Sequence, residues 1–139
     1  MILIPSYLLE EIRSHGAEAY PEECCGALVG EAESGRKIVR ATRRFVNRNA
    51  DSRERRYYVG PQAYREAEAR ARTDGLDVVG IYHSHPDHPA RPSEYDREHA
   101  WPWYSYLILS VKRGLPRDLT SWVLTEERDR FHGEALECA

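Results

Sequence analysis

The sequence predicts an α/β fold of the α+β type: a single mixed, mostly antiparallel sheet flanked by helices. Three observations carry this. Apolar runs of strand length recur along the whole chain. Helical periodicity is confined to two or three short stretches among them. The last of the chain reads as a hairpin, not as another strand–helix unit.

Taken in order, Ser6 to Ala19 is expected to be an amphipathic helix, with Ser6 as N-cap and Leu8, Leu9, Ile12 and Ala19 on one face. Tyr20-Pro21 ends it, because the residue before proline avoids helical backbone. Cys25 to Gly30 is a short apolar run, expected to be a buried strand, and Lys37 to Val46 a second one. Asn47 to Glu54 is polar and reads as a loop, and Arg55 to Val59 as a short strand. Pro61 opens a helix where proline is welcome, and Asp74-Gly75 stops it after Thr73. Leu76 to His83 is the strongest buried strand. Ser93 to Ala100 reads as a short helix and Tyr104 to Val111 as another strand. Leu119 to Thr125 and Arg130 to Leu136 are expected to pair as the terminal hairpin.

The chain has 139 residues, which suits one domain spanning 1–139 with a core that needs no disulfide staples. Hydrophobic residues make up 41% and charged residues 31%, as in ordinary soluble globular proteins. The formal net charge of −3 gives no electrostatic case for nucleic acid or an acidic membrane. Arginines number 18 against 2 lysines, so a local arginine cluster carries less information than usual. No apolar run is long enough to span a membrane. The segment Met1-Ile2-Leu3-Ile4-Pro5 lacks the charged and apolar regions of a signal peptide. Three cysteines, two of them adjacent at Cys24 and Cys25, argue against a disulfide framework and for a reducing cytoplasm.

The chemistry concentrates between Gly80 and Asp96. His83 and His85 are two apart at the end of an apolar strand, so both imidazoles project from one face. Two imidazoles make half of a zinc site, and a catalytic zinc wants three protein ligands and one open position. Asp96 is the leading candidate for the third; His88 is the alternative, but between Asp87 and Pro89 it suits an exposed loop tip. Pro86, Pro89 and Pro92 stiffen the connection. Ser93 then caps a helix on which Asp96 shares its face. His-x-His and Ser-x-x-Asp are each common without a metal; their conjunction with strand, stiffened loop and helix carries the reading. Glu22 and Glu23, just before the Cys25 strand, offer a carboxylate to serve as general base. A structural zinc is disfavoured because such sites are usually closed and cysteine-rich.

These residues resemble the JAMM (MPN+) metallopeptidase family. His83-Ser84-His85-Pro86, then Ser93 after the stretch Pro86 to Pro92, then Asp96, follow that family's pattern without a gap or substitution. The entry Pro21-Glu22-Glu23-Cys24-Cys25-Gly26 aligns Glu23, not Glu22, with the family's catalytic glutamate. The resemblance implies a cytidine-deaminase-like MPN/JAMM fold and one catalytic Zn2+ held by His83, His85 and Asp96. It implies Glu23 as the base that takes a proton from the attacking water and passes it to the leaving amine. It implies Ser93 as donor to the oxyanion, a role that would compete with capping its helix. Ser84 points the opposite way on the strand and is expected to be structural, and Asp87 has a minor claim to orient a ligand. The substrate class implied is a peptide or isopeptide bond after the C-terminal Gly-Gly of a ubiquitin-like sulfur carrier.

Substrate features are thinner. An extended tail could add to an exposed strand edge. Arg43, Arg44, Arg48, Arg53, Arg55 and Arg56 form a basic region that would suit an acidic carrier or be a solvated face. Trp101 and Trp103 would line the mouth of the site or pack its rim. A non-catalytic binding module predicts a broken metal pattern, and this one is intact. A zinc deaminase would need His-x-Glu and Pro-Cys-x-x-Cys, and neither occurs. A small-peptide hydrolase with no protein partner stays open.

Overall fold

The computed structural model describes residues 1–47, 57 and 59–139. Among them the chain runs β1 (Ile2–Ile4), α1 (Ser6–Ala19), β2 (Cys25–Glu33), β3 (Arg36–Phe45), α2 (Pro61–Thr73), β4 (Asp77–Pro86), α3 (Glu94–His99), β5 (Ser105–Lys112), β6 (Leu115–Leu124), β7 (Phe131–Glu134) and β8 (Leu136–Cys138). All strands join one sheet in the order β7-β6-β5-β4-β2-β3-β1-β8. The pairs β2–β3, β2–β4, β5–β6 and β6–β7 are antiparallel. The pairs β1–β3, β1–β8 and β4–β5 are parallel. The sheet is therefore mixed and mostly antiparallel, as the sequence predicts.

Each face of the sheet carries a helix. Leu8 and Ile12 of α1 pack with Ile2, Leu28, Val79, Tyr82, Leu107 and Leu109. Ala67 and Ala71 of α2 pack with Ala27, Val29, Val78, Ile81 and Tyr106 on the other face. Small residues on α2 let it approach closely, whereas α1 fills its side with branched chains. Strands β4 and β5 are buried almost from end to end. Covering on both faces explains why they read as continuous apolar runs without alternation.

A bulge sets the parity of β4. Val29 pairs with Val78 and Leu28 with Gly80, so Val79 is an extra residue on β4. Val79 and Tyr82 consequently share the α1 face, while Ile81 and the paired Cys25–His83 position share the other. Gly80 permits the crowding there, because a Cβ on it would drive into the Ser105 carbonyl. Beyond the bulge, alternation turns His83 and His85 to one face and Ser84 to the opposite one.

The two sheet edges belong to one stretch of chain. β7 pairs with β6, β8 pairs with β1, and only Ala135 separates them. Ala135 also accepts a bond from the Ile2 amide at 2.9 Å, which ties the turn to β1. The closing strands cover only part of each neighbour: β7 pairs with residues 121–124 of β6, and β1 with Lys37 and Ile38 of β3.

Several local expectations change. Helix α1 keeps its predicted bounds, but its N-cap is Pro5, with no side-chain cap bond from Ser6. β1 and β8 were not anticipated; each has three residues, and they pair with each other, β1 also with β3. β6 begins at Leu115, earlier than the predicted Leu119, and the expected last strand splits into β7 and β8. The predicted strand over Arg55–Val59 and loop over Asn47–Glu54 fall outside the described residues, apart from Asn47, Tyr57 and Val59.

Candidate metal centre and active site

His83 and His85 stand near the carboxyl end of β4, paired in parallel with Ile108 and Ser110 of β5. The chain then turns at Asp87, whose φ of 58° is left-handed. Asp87 accepts bonds from the Tyr20 hydroxyl at 2.6 Å and the Arg113 amide at 2.8 Å, so it locks this turn and does not orient a ligand. His88 is exposed in the turn, as a loop-tip residue should be. Ser93 caps α3 with a full capping box: its Oγ accepts from the Asp96 amide at 3.0 Å, and Asp96 Oδ2 accepts from the Ser93 amide at 2.9 Å. The box aims the Asp96 carboxylate back at β4.

Three ligand atoms converge as a result. Nε2 of His83 and Nε2 of His85 are 3.1 Å apart, and Asp96 Oδ2 lies 3.3 Å and 3.1 Å from them. Atoms bound tetrahedrally at zinc distances are separated by about 3.3 Å. The donor set also calls for a cation. His85 Nδ1 lies 2.9 Å from the Pro89 carbonyl, which only accepts, so Nδ1 carries the proton and Nε2 presents a lone pair. That lone pair faces a second imidazole nitrogen and a carboxylate, and a positive ion between them removes the repulsion. His83, His85 and Asp96 are also the metal-type cluster found among the described residues. The residues present fit a bound divalent metal.

Glu23 is buried beside this cluster, and its Oε1 has no hydrogen-bond partner among the described residues. Burial and then the charge of Asp96 push the Glu23 carboxyl up to about 9. For Asp96, burial works upward, but His83 and His85 pull the carboxyl well below its ordinary range. The backbone around Glu23 is clamped twice. The Cys24 amide donates to Ser84 Oγ at 2.9 Å, and the Asn47 amide group donates to the Glu23 carbonyl at 3.1 Å. Ser84 is therefore structural, as expected, but its task is specific: it ties β4 to the segment bearing Glu23.

Ser93 is exposed, with its hydroxyl oxygen accepting the cap bond. Capping uses a lone pair and leaves the O–H free to donate, so the competition expected between its two roles does not arise. Cys24 and Cys25 are buried and free, and burial raises both thiols, Cys24 to about 11. They are packing residues in protonated form. Trp101 lines a groove of about 440 Å³ with Tyr57, Val59, Tyr64, His99 and Arg128. Trp103 does not line it; its ring lies 4.6 Å from the Lys37 ammonium. Arg43 pairs with Asp74 at 3.9 Å and Arg44 with Glu18 at 2.5 Å, which accounts for two members of the basic region. Arg48, Arg53, Arg55 and Arg56 lie outside the described residues. Tyr57, which stacks on His83 with ring centroids 4.5 Å apart, went unnoticed in the sequence because nothing local marks it.

Known proteins match this chain over most of its length. The Haloferax volcanii protein named desampylase is 36% identical over 104 residues, covering 74% of this chain and 73% of that one. The Thermus thermophilus protein named probable TtuB-protein conjugate cleaving protease is 33% identical over 111 residues, covering 80% and 71%. A solved solution structure of a Salinibacter ruber protein is 48% identical with a TM-score of 0.77, covering all of this chain and 92% of that one. The family described as prokaryotic homologs of the JAB domain matches residues 5–125, a span that contains His83, His85, Asp96 and Glu23. By that match the chain belongs to the prokaryotic JAB-domain family.

Proposed function

We propose that this chain is a zinc-dependent JAMM-type hydrolase that cleaves peptide or isopeptide bonds after the C-terminal Gly-Gly of ubiquitin-like sulfur-carrier proteins. The observation that carries the reading is the convergence of His83 Nε2, His85 Nε2 and Asp96 Oδ2 beside the orphaned, buried carboxyl of Glu23. Relatives named for desampylation and for cleaving TtuB-protein conjugates support the substrate class.

Zinc bound by His83, His85 and Asp96 supplies Lewis acidity and brings a water's pKa down to about 7. The chain's own groups do the rest. The Glu23 carboxylate takes the proton of the attacking water and returns it to the departing amine, so water is consumed and a carboxylate and an amine are released. The Ser93 O–H donates to the carbonyl oxygen as charge develops there. Burial holds the Glu23 carboxyl protonated in the metal-free chain, and it would serve as base near neutrality with a cation held by His83, His85 and Asp96. Residues 1–139 act as one domain in this reading. No helix among the described residues is long and apolar enough to cross a membrane. A cytoplasmic setting is supported by three free cysteines.

The test is a mass-spectrometric cleavage assay. The zinc-loaded chain is mixed with ubiquitin-like sulfur carriers from the same genome, each extended beyond Gly-Gly, with and without chelator. Chelator-sensitive cleavage after the second glycine is the expected outcome. Intact carriers in the presence of stoichiometric zinc would remove the substrate assignment while leaving the metal site.

A further inference from the structure

The two histidines are oriented by different means. His85 is held through Nδ1 by the Pro89 carbonyl. Nδ1 of His83 is buried with no hydrogen-bond partner among the described residues. A metal-binding imidazole ordinarily has its second nitrogen fixed by an acceptor, which sets both tautomer and ring plane. His83 has an aromatic face in that place. The Tyr57 ring stacks on it with centroids 4.5 Å apart and planes inclined by 25°. Tyr57 is itself anchored, because its carbonyl accepts a bond from the Tyr95 hydroxyl at 3.2 Å. Tyr95 stands on α3 next to Asp96. Tyr57 thus joins two of the three ligand-bearing positions without offering a ligand atom.

We infer that Tyr57 is a positioning residue for the metal centre: its ring fixes the plane of the His83 imidazole by stacking, in place of a hydrogen bond to Nδ1. The inference rests on His83 being a metal ligand. It makes metal affinity depend on Tyr57, a residue outside the triad of His83, His85 and Asp96.

The test measures metal binding and not turnover. The full chain is stripped of metal, and Zn2+ affinity is read by competition with a chromophoric chelator. Co2+ substitution reports ligand geometry through its visible bands. Tyr57→Phe keeps the ring and is expected to bind within about two-fold of wild type with unchanged Co2+ bands. Tyr57→Leu keeps apolar volume but loses the ring face; it is expected to bind about 10- to 100-fold more weakly and to shift the bands, as loss of a supporting residue does. Tyr57→Met is the second variant should Tyr57→Leu fail to melt cooperatively. His83→Ala is the control for the underlying reading. Wild-type affinity and spectrum in Tyr57→Leu or Tyr57→Met, with His83→Ala impaired, overturn the inference alone. A loss in Tyr57→Phe equal to that in Tyr57→Leu also overturns it, since the hydroxyl would then be responsible. Wild-type affinity in His83→Ala removes the metal reading and the inference with it.

Discussion

Glu23 and Asp96 are buried in one site yet titrate in opposite directions, because two imidazoles offset the burial of Asp96 and none reaches Glu23. Such divergence is how a site separates a ligand from a proton carrier. Glu23→Gln should retain metal stoichiometry and lose about 10²–10⁴-fold in turnover, the usual worth of a general base. Full turnover in that variant would remove Glu23 from the reaction. The same carboxyl shapes stability in the metal-free chain. Its pKa is raised from 4.5 to about 9, so between these values the folded state holds a proton that the unfolded state has released. The contribution of Glu23 to stability is therefore full below pH 4.5 and is lost as pH rises to about 9. In thermal melts of the metal-free protein, the stability difference between the chain and Glu23→Gln should follow that decline. A third outcome concerns Ser93. Ser93→Ala should keep its metal, lose about 1 kcal/mol of cap stability and lose about 10²–10³-fold in turnover. A pure cap would show only the first loss, in urea midpoints, with turnover intact.

At the level of elements, the site depends on how β4 meets its neighbours. Ser84 faces away from the ligands and its hydroxyl accepts the Cys24 amide. Ser84→Ala would leave that buried amide unpaired, a cost of about 1–3 kcal/mol. Urea unfolding should register the loss, while bound metal per chain stays at the wild-type value. An unchanged midpoint would mean that water or a shifted backbone replaces the clamp. Much of this was legible beforehand. His-x-His after an apolar run placed both imidazoles on one face, and Ser-x-x-Asp announced the capping box that aims Asp96. The bulge at Val79 was not legible, because it arises from pairing with β2 and leaves no local mark. Had Val79 been accommodated by regular alternation instead of a bulge, His83 would face α1. The doubt over which of Glu22 and Glu23 serves as base is a similar case. Burial separates them, since Glu23 is buried and Glu22 exposed.

On the scale of the whole molecule, closure through β7 and β8 gathers charges that are far apart in the chain. Glu134 accepts bonds from the Ser105 and Ser121 hydroxyls at 2.6 Å and 2.8 Å and lies 3.5 Å from the amino terminus. Buried Lys37 bonds to Ser105 Oγ at 3.0 Å, and Glu134 is the charge that favours its ammonium against burial. Glu134→Ala should cost about 3 kcal/mol, the low end for removing one partner of a buried charge cluster. Calorimetry should show the lowered melting temperature, with metal content unchanged because Ser105 pairs at Gly80, away from the ligand end of β4. Metal loss in that variant would show that closure and the site are mechanically coupled. Sequence by itself determined the helices α1 and α2, the central strands and the candidate triad His83, His85 and Asp96, because these rest on short-range periodicity, proline and glycine signals and fixed spacing. Only the tertiary structure decided β1 and β8, the parity of β4, the burial that shifts Glu23 and the stacking of Tyr57 on His83. Each of those depends on a partner distant in the chain, and no local pattern encodes a contact whose other half lies elsewhere.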